Sequence, residues 1–115
     1  MHGLTVRWSL VGTPADTVDR LRDYIEDSSF ARFAGLPGLR FKTWRAVPGQ
    51  WFEGCYVFAD DAARAQFQAD FERVAAESPV SGIVGQAPEL IEACEVLAVA
   101  EGPEGFLATG RYVTP

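Results

Sequence analysis

The segment from residue 38 to residue 68 constrains the fold more than any other part of this chain. It contains two aromatic-rich runs, residues 39–47 and 51–59, with Pro48 to Gln50 between them. Proline and glycine between two such runs favour a turn, so the runs are predicted to form an antiparallel hairpin. An aspartate pair follows at positions 60 and 61 and precedes apolar residues at helical spacing, which predicts a capped helix.

The other elements follow from apolar residues that recur at strand or helix spacing. Apolar and polar residues alternate from Leu4 to Leu10, which predicts a first strand with one buried face. Thr13 is placed to cap a helix that starts at Pro14 and runs to about Asp27, and a short second helical turn follows it. Residues 90–99 predict the last strand. The helix after the hairpin is expected to pack on the sheet through Ala63, Phe67, Phe71 and Val74.

The order strand, helix, strand, strand, helix, strand is that of the ferredoxin-like split βαβ fold, an α+β class with a four-stranded antiparallel sheet. Two helices cover one face of such a sheet. The third strand nevertheless carries apolar residues on both sides, namely Phe52, Tyr56 and Phe58 against Trp51, Cys55 and Val57. A sheet that is apolar on both faces is normally buried on both, so we expect a homodimer formed by sheet-to-sheet contact. Residues 1–100 are expected to form this domain, and residues 101–115 a C-terminal arm that docks locally or on the partner.

Composition and charge disfavour several classes of partner. Of the 115 residues, 48% are hydrophobic and 23% are charged, which is typical of one folded globular domain. The net charge of −6 and the absence of a run of Lys or Arg disfavour nucleic acid as a partner. No stretch is long and apolar enough to span a membrane, and the N-terminus lacks the pattern of a signal peptide, so a cytoplasmic location is expected.

The few histidines and cysteines of the chain disfavour several kinds of catalytic site and metal site. His2 is the sole histidine of the chain and lies near a terminus, which disfavours a histidine-based catalytic triad or a haem site. Cys55 and Cys94 are far apart in sequence and lack the CxxC spacing of a metal site, so they are expected to be buried thiols. Neither a metal ion nor another cofactor is expected.

The hairpin turn decides which side chains face one another. If Pro48 to Gln50 form a three-residue turn, Trp44 lies opposite Gly54, and Lys42 lies opposite Tyr56 on the same sheet face. A two-residue turn would shift this register by one residue. The three-residue turn places a cation, a phenol and an indole around one pocket. The alternative is a cross-strand pair without chemical importance, in which Trp44 fills the space left by the glycine.

Two segments of the chain resemble the dimeric α/β-barrel superfamily and, within it, the YdhR-like family of proposed monooxygenases. They are FAGLPGLRFKTW, residues 33–44, and EGCYVFADDAARAQF, residues 53–67. The resemblance covers residues 33–76 well and the remainder only by the order of elements. It implies a dimeric α/β barrel and a cofactor-independent monooxygenase that acts on a small aromatic or polyketide-like substrate. Glu53 is a departure, because the family often has a glycine at this position.

The resemblance suggests roles for particular side chains. Triplet oxygen reacts poorly with closed-shell molecules unless they are electron-rich, so such an enzyme has to favour a phenolate or an enolate. Lys42 is expected to lower the pKa of the substrate, and Tyr56 is expected to relay or donate a proton. Trp44 is expected to stack on a planar substrate. The other candidate substrate-binding residues are Phe33, Phe67, Phe71 and Arg7; the alternative role of the three phenylalanines is that of core residues.

Two other functions fit the same sequence. The first is a cyclase or isomerase on this scaffold, in which Lys42 or Tyr56 assists proton transfer without oxygen. The second is a binding or stress-response protein without catalysis. The fold alone does not choose among these functions, because one fold hosts many. Oxygen consumption without added flavin or metal separates an oxygenase from a cyclase.

Overall fold

The structure is a computed structural model, and it describes residues 1–107 and residue 109. In chain order its elements are β1 (His2–Ser9), α1 (Thr17–Tyr24), a π-helical turn (Ile25–Ser29), α2 (Phe30–Ala34), β2 (Leu39–Val47), β3 (Trp51–Phe58), α3 (Asp61–Val74), a 3₁₀ turn (Ala75–Glu77), α4 (Pro79–Val84) and β4 (Leu90–Glu95). None of the described helices is long and apolar enough to cross a membrane. Much of the predicted C-terminal arm, residue 108 and residues 110–115, lies outside the described residues.

The four strands form one antiparallel sheet in the order β2-β3-β1-β4. This confirms the predicted α+β class and the predicted four-stranded antiparallel sheet. The central strands β1 and β3 are distant in sequence, and their pairing places Leu4 opposite Tyr56 and Val6 opposite Gly54. The strand order agrees with the ferredoxin-like arrangement expected from the sequence.

One face of the sheet is covered by helices and holds the core. Alternate residues of the central strands point to this helix-covered face, because successive side chains of a strand lie on opposite sides. The residues that do so and are almost fully buried are Leu4, Val6, Trp8, Phe52, Tyr56 and Phe58. Leu21 of α1, Phe33 of α2 and Val84 of α4 belong to the same cluster. The intervening residues define the opposite face, which we call the open face.

The first helix begins later than the sequence predicts. Thr13 does not cap it: its hydroxyl donates to the carbonyl of Leu10 at 2.7 Å, and the N–H of Thr17 donates to the carbonyl of Pro14 at 3.1 Å. These bonds hold the chain in consecutive turns, so α1 starts only at Thr17. The helical run also does not stop near Asp27, because the π-helical turn joins α1 directly to α2.

The last strand is shorter than predicted, since it ends at Glu95. Its pairing with β1 ends where Glu95 lies opposite His2, the first residue of β1. One further bond forms, from the N–H of Val96 to the carbonyl of Met1 at 3.0 Å. Beyond this bond the apolar residues that were assigned to the strand are exposed, and Leu97 is 87% exposed.

Two side chains that were predicted to be buried are exposed. Val74 at the end of α3 is 52% exposed, because the helix turns it away from the core on which Phe67 and Phe71 pack. Cys94 is exposed and Cys55 is half-buried. Both cysteines lie on the open face, where the helices of this chain do not cover them.

Candidate functional site

The hairpin of β2 and β3 positions the candidate site. Its turn has three residues and is closed by a backbone hydrogen bond of 2.9 Å. Gly49 in the turn has a φ of 76°, a conformation that glycine adopts readily. The register is therefore the one predicted for a three-residue turn, with Lys42 opposite Tyr56 and Trp44 opposite Gly54. Both pairs lie on the helix-covered face.

The side chain of Lys42 is surrounded by three aromatic rings. Its amine nitrogen Nζ lies 3.5 Å from the ring centre of Phe33, 4.4 Å from that of Tyr56 and 4.5 Å from that of Trp44. Burial lowers the pKa of Lys42 well below its ordinary value, and the positive charge of Arg32 lowers it further. None of the described carboxylates pairs with Lys42. Lys42 is thus an amine that gives up its proton more readily than an ordinary lysine.

The glycine at position 54 makes room for Lys42 and Tyr56. A Cβ atom added to Gly54 would lie 3.1 Å from Cε of Lys42 and 3.3 Å from the hydroxyl oxygen of Tyr56. Carbon atoms in favourable contact are about 3.5–4.0 Å apart, so a side chain at this position would crowd both neighbours. The glycine lets the lysine chain and the phenol approach the same point of the sheet.

Tyr56 is 5% exposed and is packed among aromatic rings. Its ring centre lies 5.0 Å from that of Phe67 and 5.4 Å from that of Phe33. Its hydroxyl forms no hydrogen bond with the residues that the structure describes. Burial raises the pKa of Tyr56, so it stays a neutral phenol near pH 7 and keeps a proton to donate.

A small cavity, which we call the inner cavity, lies where these side chains meet. Its volume is about 40 Å³, and a cavity needs only about 10–15 Å³ of such space to hold one water molecule. The predicted site residues that line it are Phe33, Lys42, Trp44, Tyr56, Phe67 and Phe71. The inner cavity accommodates a molecule the size of water or dioxygen, but an aromatic substrate does not fit.

A larger cavity, which we call the outer cavity, adjoins the inner one at the edge strand β2. Its volume is about 640 Å³, within the range of about 300–1,000 Å³ that is typical of small-molecule sites. Phe33, Lys42 and Trp44 line both cavities. Part of the predicted arm closes one side of the outer cavity, and the ring of Phe106 lies 5.9 Å from that of Phe41. Lys42 therefore borders both a space for a large ligand and a space for a small one.

Ser29 is a candidate site residue that sequence reasoning missed. It is 2% exposed and lines the inner cavity. Its hydroxyl forms no hydrogen bond with the described part of the chain. Ser29 ends the π-helical turn, and such turns are frequent at functional sites. One sequence feature pointed to this position, namely the pair Ser28 and Ser29 just before an aromatic segment. Regular helical spacing does not predict a π-helical turn, so the sequence pattern did not place Ser29 at the cavity.

Arg7 is the one predicted site residue that the structure does not bring to the cavities. It lies on the open face, where its Nε donates to Oε2 of Glu53 at 2.8 Å. Arg45 donates to the other carboxylate oxygen, and the ring of Trp51 contacts both guanidinium groups. Glu53 is 1% exposed. Its burial acts to raise the pKa of the carboxyl group, but the hydrogen bonds from Arg7 and Arg45 outweigh burial and lower it.

The ion pairs of Glu53 with Arg7 and Arg45 give a structural role to this residue, which stands where the YdhR-like family often has a glycine. Glu53 joins the three strands β1, β3 and β2 through its two arginine partners, so its contacts are those of a structural ion pair. In the described parts of the chain, no group of three or more His, Cys, Asp or Glu side chains is placed to hold a metal ion. The residues that line the inner cavity instead include Lys42 with its amine and Tyr56 and Ser29 with their hydroxyls.

The overall fold has a counterpart among solved structures. A protein of unknown function from Nitrosomonas europaea, known from a crystal structure, matches this chain with a TM-score of 0.63. The two chains are 21% identical, and the match covers 88% of this chain and 93% of the other. No protein-family model matches the chain, and no curated protein matches it. The likeness at this level of identity shows a shared fold and leaves the function to be argued from the site.

Proposed function

We propose that this protein is a cofactor-independent monooxygenase that acts on a small, electron-rich aromatic or polyketide-like molecule. The observation that carries the proposal is that Lys42 lines both cavities. The outer cavity is large enough for a planar substrate, the inner cavity is large enough for dioxygen, and Lys42 borders both. The resemblance of residues 33–76 to the YdhR-like family points to the same activity.

In the first step of the proposed reaction, Lys42 takes a proton from the substrate. Its lowered pKa makes the amine a better base near neutral pH than an ordinary lysine. Transfer of a phenolic or enolic proton to Nζ leaves an anion beside an ammonium group in an apolar setting. The attraction between the two charges is stronger there than in water. The anion is electron-rich, and it is the form that reacts with dioxygen.

In the second step, dioxygen reacts from the inner cavity. The net conversion turns a CH₂ group into a carbonyl: one oxygen atom enters the product, and the other leaves as water with the two hydrogen atoms. The substrate supplies all the electrons, so no external reductant is needed. Tyr56 and Ser29 border the inner cavity. Their hydroxyls donate hydrogen bonds to the reduced oxygen. Tyr56 passes a proton to the departing water and is reprotonated by the proton that Lys42 took from the substrate, which returns both groups to their neutral forms.

We also propose that two chains with the ferredoxin-like fold associate through their open faces into a dimeric α/β barrel. Large or apolar side chains on this face that a second copy would cover are Phe41, Trp51, Leu90 and Cys94. Sedimentation at micromolar concentration tests the association. The expected particle has twice the 12.6 kDa mass of one chain, and a stable particle of single mass would contradict the barrel.

Oxygen consumption tests the proposed activity. The protein is mixed with hydroxylated naphthalenes and anthrones in the presence of a chelator and without flavin. We expect oxygen uptake that is equimolar with the carbonyl product and that is lost in Lys42→Met. The matched control is Arg20→Gln, because Arg20 is exposed and lines neither cavity. Product without oxygen uptake would identify a cyclase or isomerase, and binding without turnover a binding protein; either result contradicts the proposal.

A further inference from the structure

Some of the basic side chains of this acidic chain form an ion pair with a carboxylate, and others do not. Those that form an ion pair with a carboxylate are Arg7, Arg22, Arg45, Arg64 and Arg73. Four basic side chains form no ion pair within the part of the chain that the structure describes: Arg20, Arg32, Arg40 and Lys42. The last three line the inner or the outer cavity. No Asp or Glu among the described residues lines either cavity. A chain of net charge −6 therefore places two arginines without an ion pair, Arg32 and Arg40, on the walls of its cavities.

Arg40 occupies a special position on the outer cavity. The pairing of β2 with β3 skips it, since its neighbours Leu39 and Phe41 lie opposite two consecutive residues of β3. Arg40 is thus the extra residue of a β-bulge. Bulges are common beside binding sites, where they re-aim a side chain. This one supplies a guanidinium group to a cavity whose walls are otherwise mainly aromatic and aliphatic.

We infer that the outer cavity selects aromatic acids, planar apolar molecules with an ionised carboxylate that Arg40 binds. The inference rests on the proposed function and deepens it by naming the class of substrate. The guanidinium group presents a rigid fork of N–H donors that matches the two oxygens of a carboxylate. Phe30 and Trp44, which line the same cavity, contact the aromatic body. Lys42 remains available for the phenolic or enolic proton.

Calorimetric titration with 2-naphthoate and with 2-naphthamide, in the absence of oxygen, tests the inference. The two probes have nearly the same shape and differ in charge. We expect the wild-type protein to bind the naphthoate with a dissociation constant about fivefold lower than that of the naphthamide, because an ion pair with an exposed arginine contributes about this much. Arg40→Gln is expected to abolish this preference, and added salt is expected to reduce it because mobile ions screen exposed charges.

The matched control for Arg40→Gln is Arg20→Gln. Arg20 is also exposed and also forms no ion pair with the described residues, but it lines neither cavity. Arg20→Gln is expected to keep the preference for the naphthoate. The inference is overturned if the wild-type protein binds both probes equally or binds neither. It is also overturned if Arg20→Gln loses the preference to the same extent as Arg40→Gln, since the effect would then reflect net charge.

Oxygen uptake with 3-hydroxy-2-naphthoate and with 2-naphthol separates this inference from the proposed activity. Selective binding of the naphthoate without uptake from either compound would support the aromatic-acid site and overturn the monooxygenase activity. Equal uptake from both compounds would support the activity and overturn the selectivity for acids. Faster uptake from the hydroxynaphthoate, reduced in Arg40→Gln, is the result that supports both.

Discussion

Lys42 and Tyr56 face each other across the β2–β3 hairpin, and Nζ of Lys42 lies 4.4 Å from the centre of the Tyr56 ring. Burial acts on the two groups in opposite directions: it lowers the pKa of the amine and raises the pKa of the phenol. Each shift favours the neutral form of its group. Adjacent groups whose pKa values respond differently to their surroundings often divide the roles of acid and base. The proposed mechanism assigns the base to Lys42 and the acid to Tyr56.

The first prediction concerns Lys42→Arg. This change keeps a positive charge beside the substrate but removes the base, because arginine does not lose its proton in proteins. Turnover is expected to fall by about 100-fold or more, the usual contribution of a general base. Oxygen uptake at varied substrate concentration yields kcat and KM separately. An unchanged kcat would mean that Lys42 acts only through its charge, contrary to the proposed step.

The pH profile is the second prediction. Lys42 works as the free amine, and the fraction of free amine grows as the pH rises through its pKa in the folded protein. Because burial lowers that pKa, kcat/KM is expected to rise at a pH below the ordinary range of lysine. The profile is measured with a substrate that does not ionise in the same range. A rate that stays flat until the ordinary lysine range contradicts the assignment.

Gly54→Ala is the third prediction. The added methyl group would crowd Cε of Lys42 at 3.1 Å and the Tyr56 hydroxyl at 3.3 Å. We expect a loss of stability of about 1–3 kcal/mol from overpacking, together with reduced oxygen uptake. Denaturant unfolding measures the first effect. Gly82→Ala is the control, since no atom lies within 4 Å of its added Cβ; an equal effect in both variants would show that crowding at the site is not the cause.

The hairpin register and the cap of α3 were predictable because both depend on neighbours in sequence. The three residues Pro48 to Gln50 set the length of the turn, and the length of the turn sets the register. The side chain of Asp60 accepts a hydrogen bond from the N–H of Ala63 at 2.8 Å, as a capping residue does. For a three-residue turn, local information of this kind predicts that Lys42 lies opposite Tyr56 and Trp44 opposite Gly54. The sequence left a two-residue turn open, and the pairing of β2 with β3 decides between the two.

Other features depend on residues far away in sequence and were not predictable from local patterns. β4 ends at Glu95, which lies opposite the first residue of its partner strand β1, although the apolar pattern continues. The bulge at Arg40 arises from the pairing of two strands, and no single strand reveals it. Ser29 reaches the inner cavity from a π-helical turn, which interrupts the regular spacing on which helix prediction depends.

Glu53→Gln is the fourth prediction. The carboxylate is buried between two arginines, so its replacement is expected to lower the free energy of unfolding near pH 7 by about 1–3 kcal/mol. The pKa of Glu53 is lowered in the folded protein. Its stabilisation is therefore present above the unfolded pKa of about 4.3 and is lost as the pH falls through the folded pKa.

Denaturant unfolding of the wild-type protein and Glu53→Gln across this pH range checks both the size and the sign of the effect. The two proteins are expected to approach equal stability as the pH falls. Glu92→Gln is the control, since Glu92 is exposed on β4 and the structure gives it no ion pair among the described residues. A difference between wild type and Glu53→Gln that does not change with pH would contradict the role of the carboxylate charge.

If Lys42 takes the substrate proton inside the cavities, a phenol bound there ionises more readily than the same phenol in solution. The absorption of 2-naphthol is followed anaerobically against pH, free and bound to the wild-type protein and to Lys42→Met. We expect the naphtholate band of the wild-type complex to appear at lower pH than that of free 2-naphthol, and we expect Lys42→Met to remove the difference. A naphthol that ionises at the same pH free and bound, or equally in both proteins, would contradict the role of Lys42 as the base.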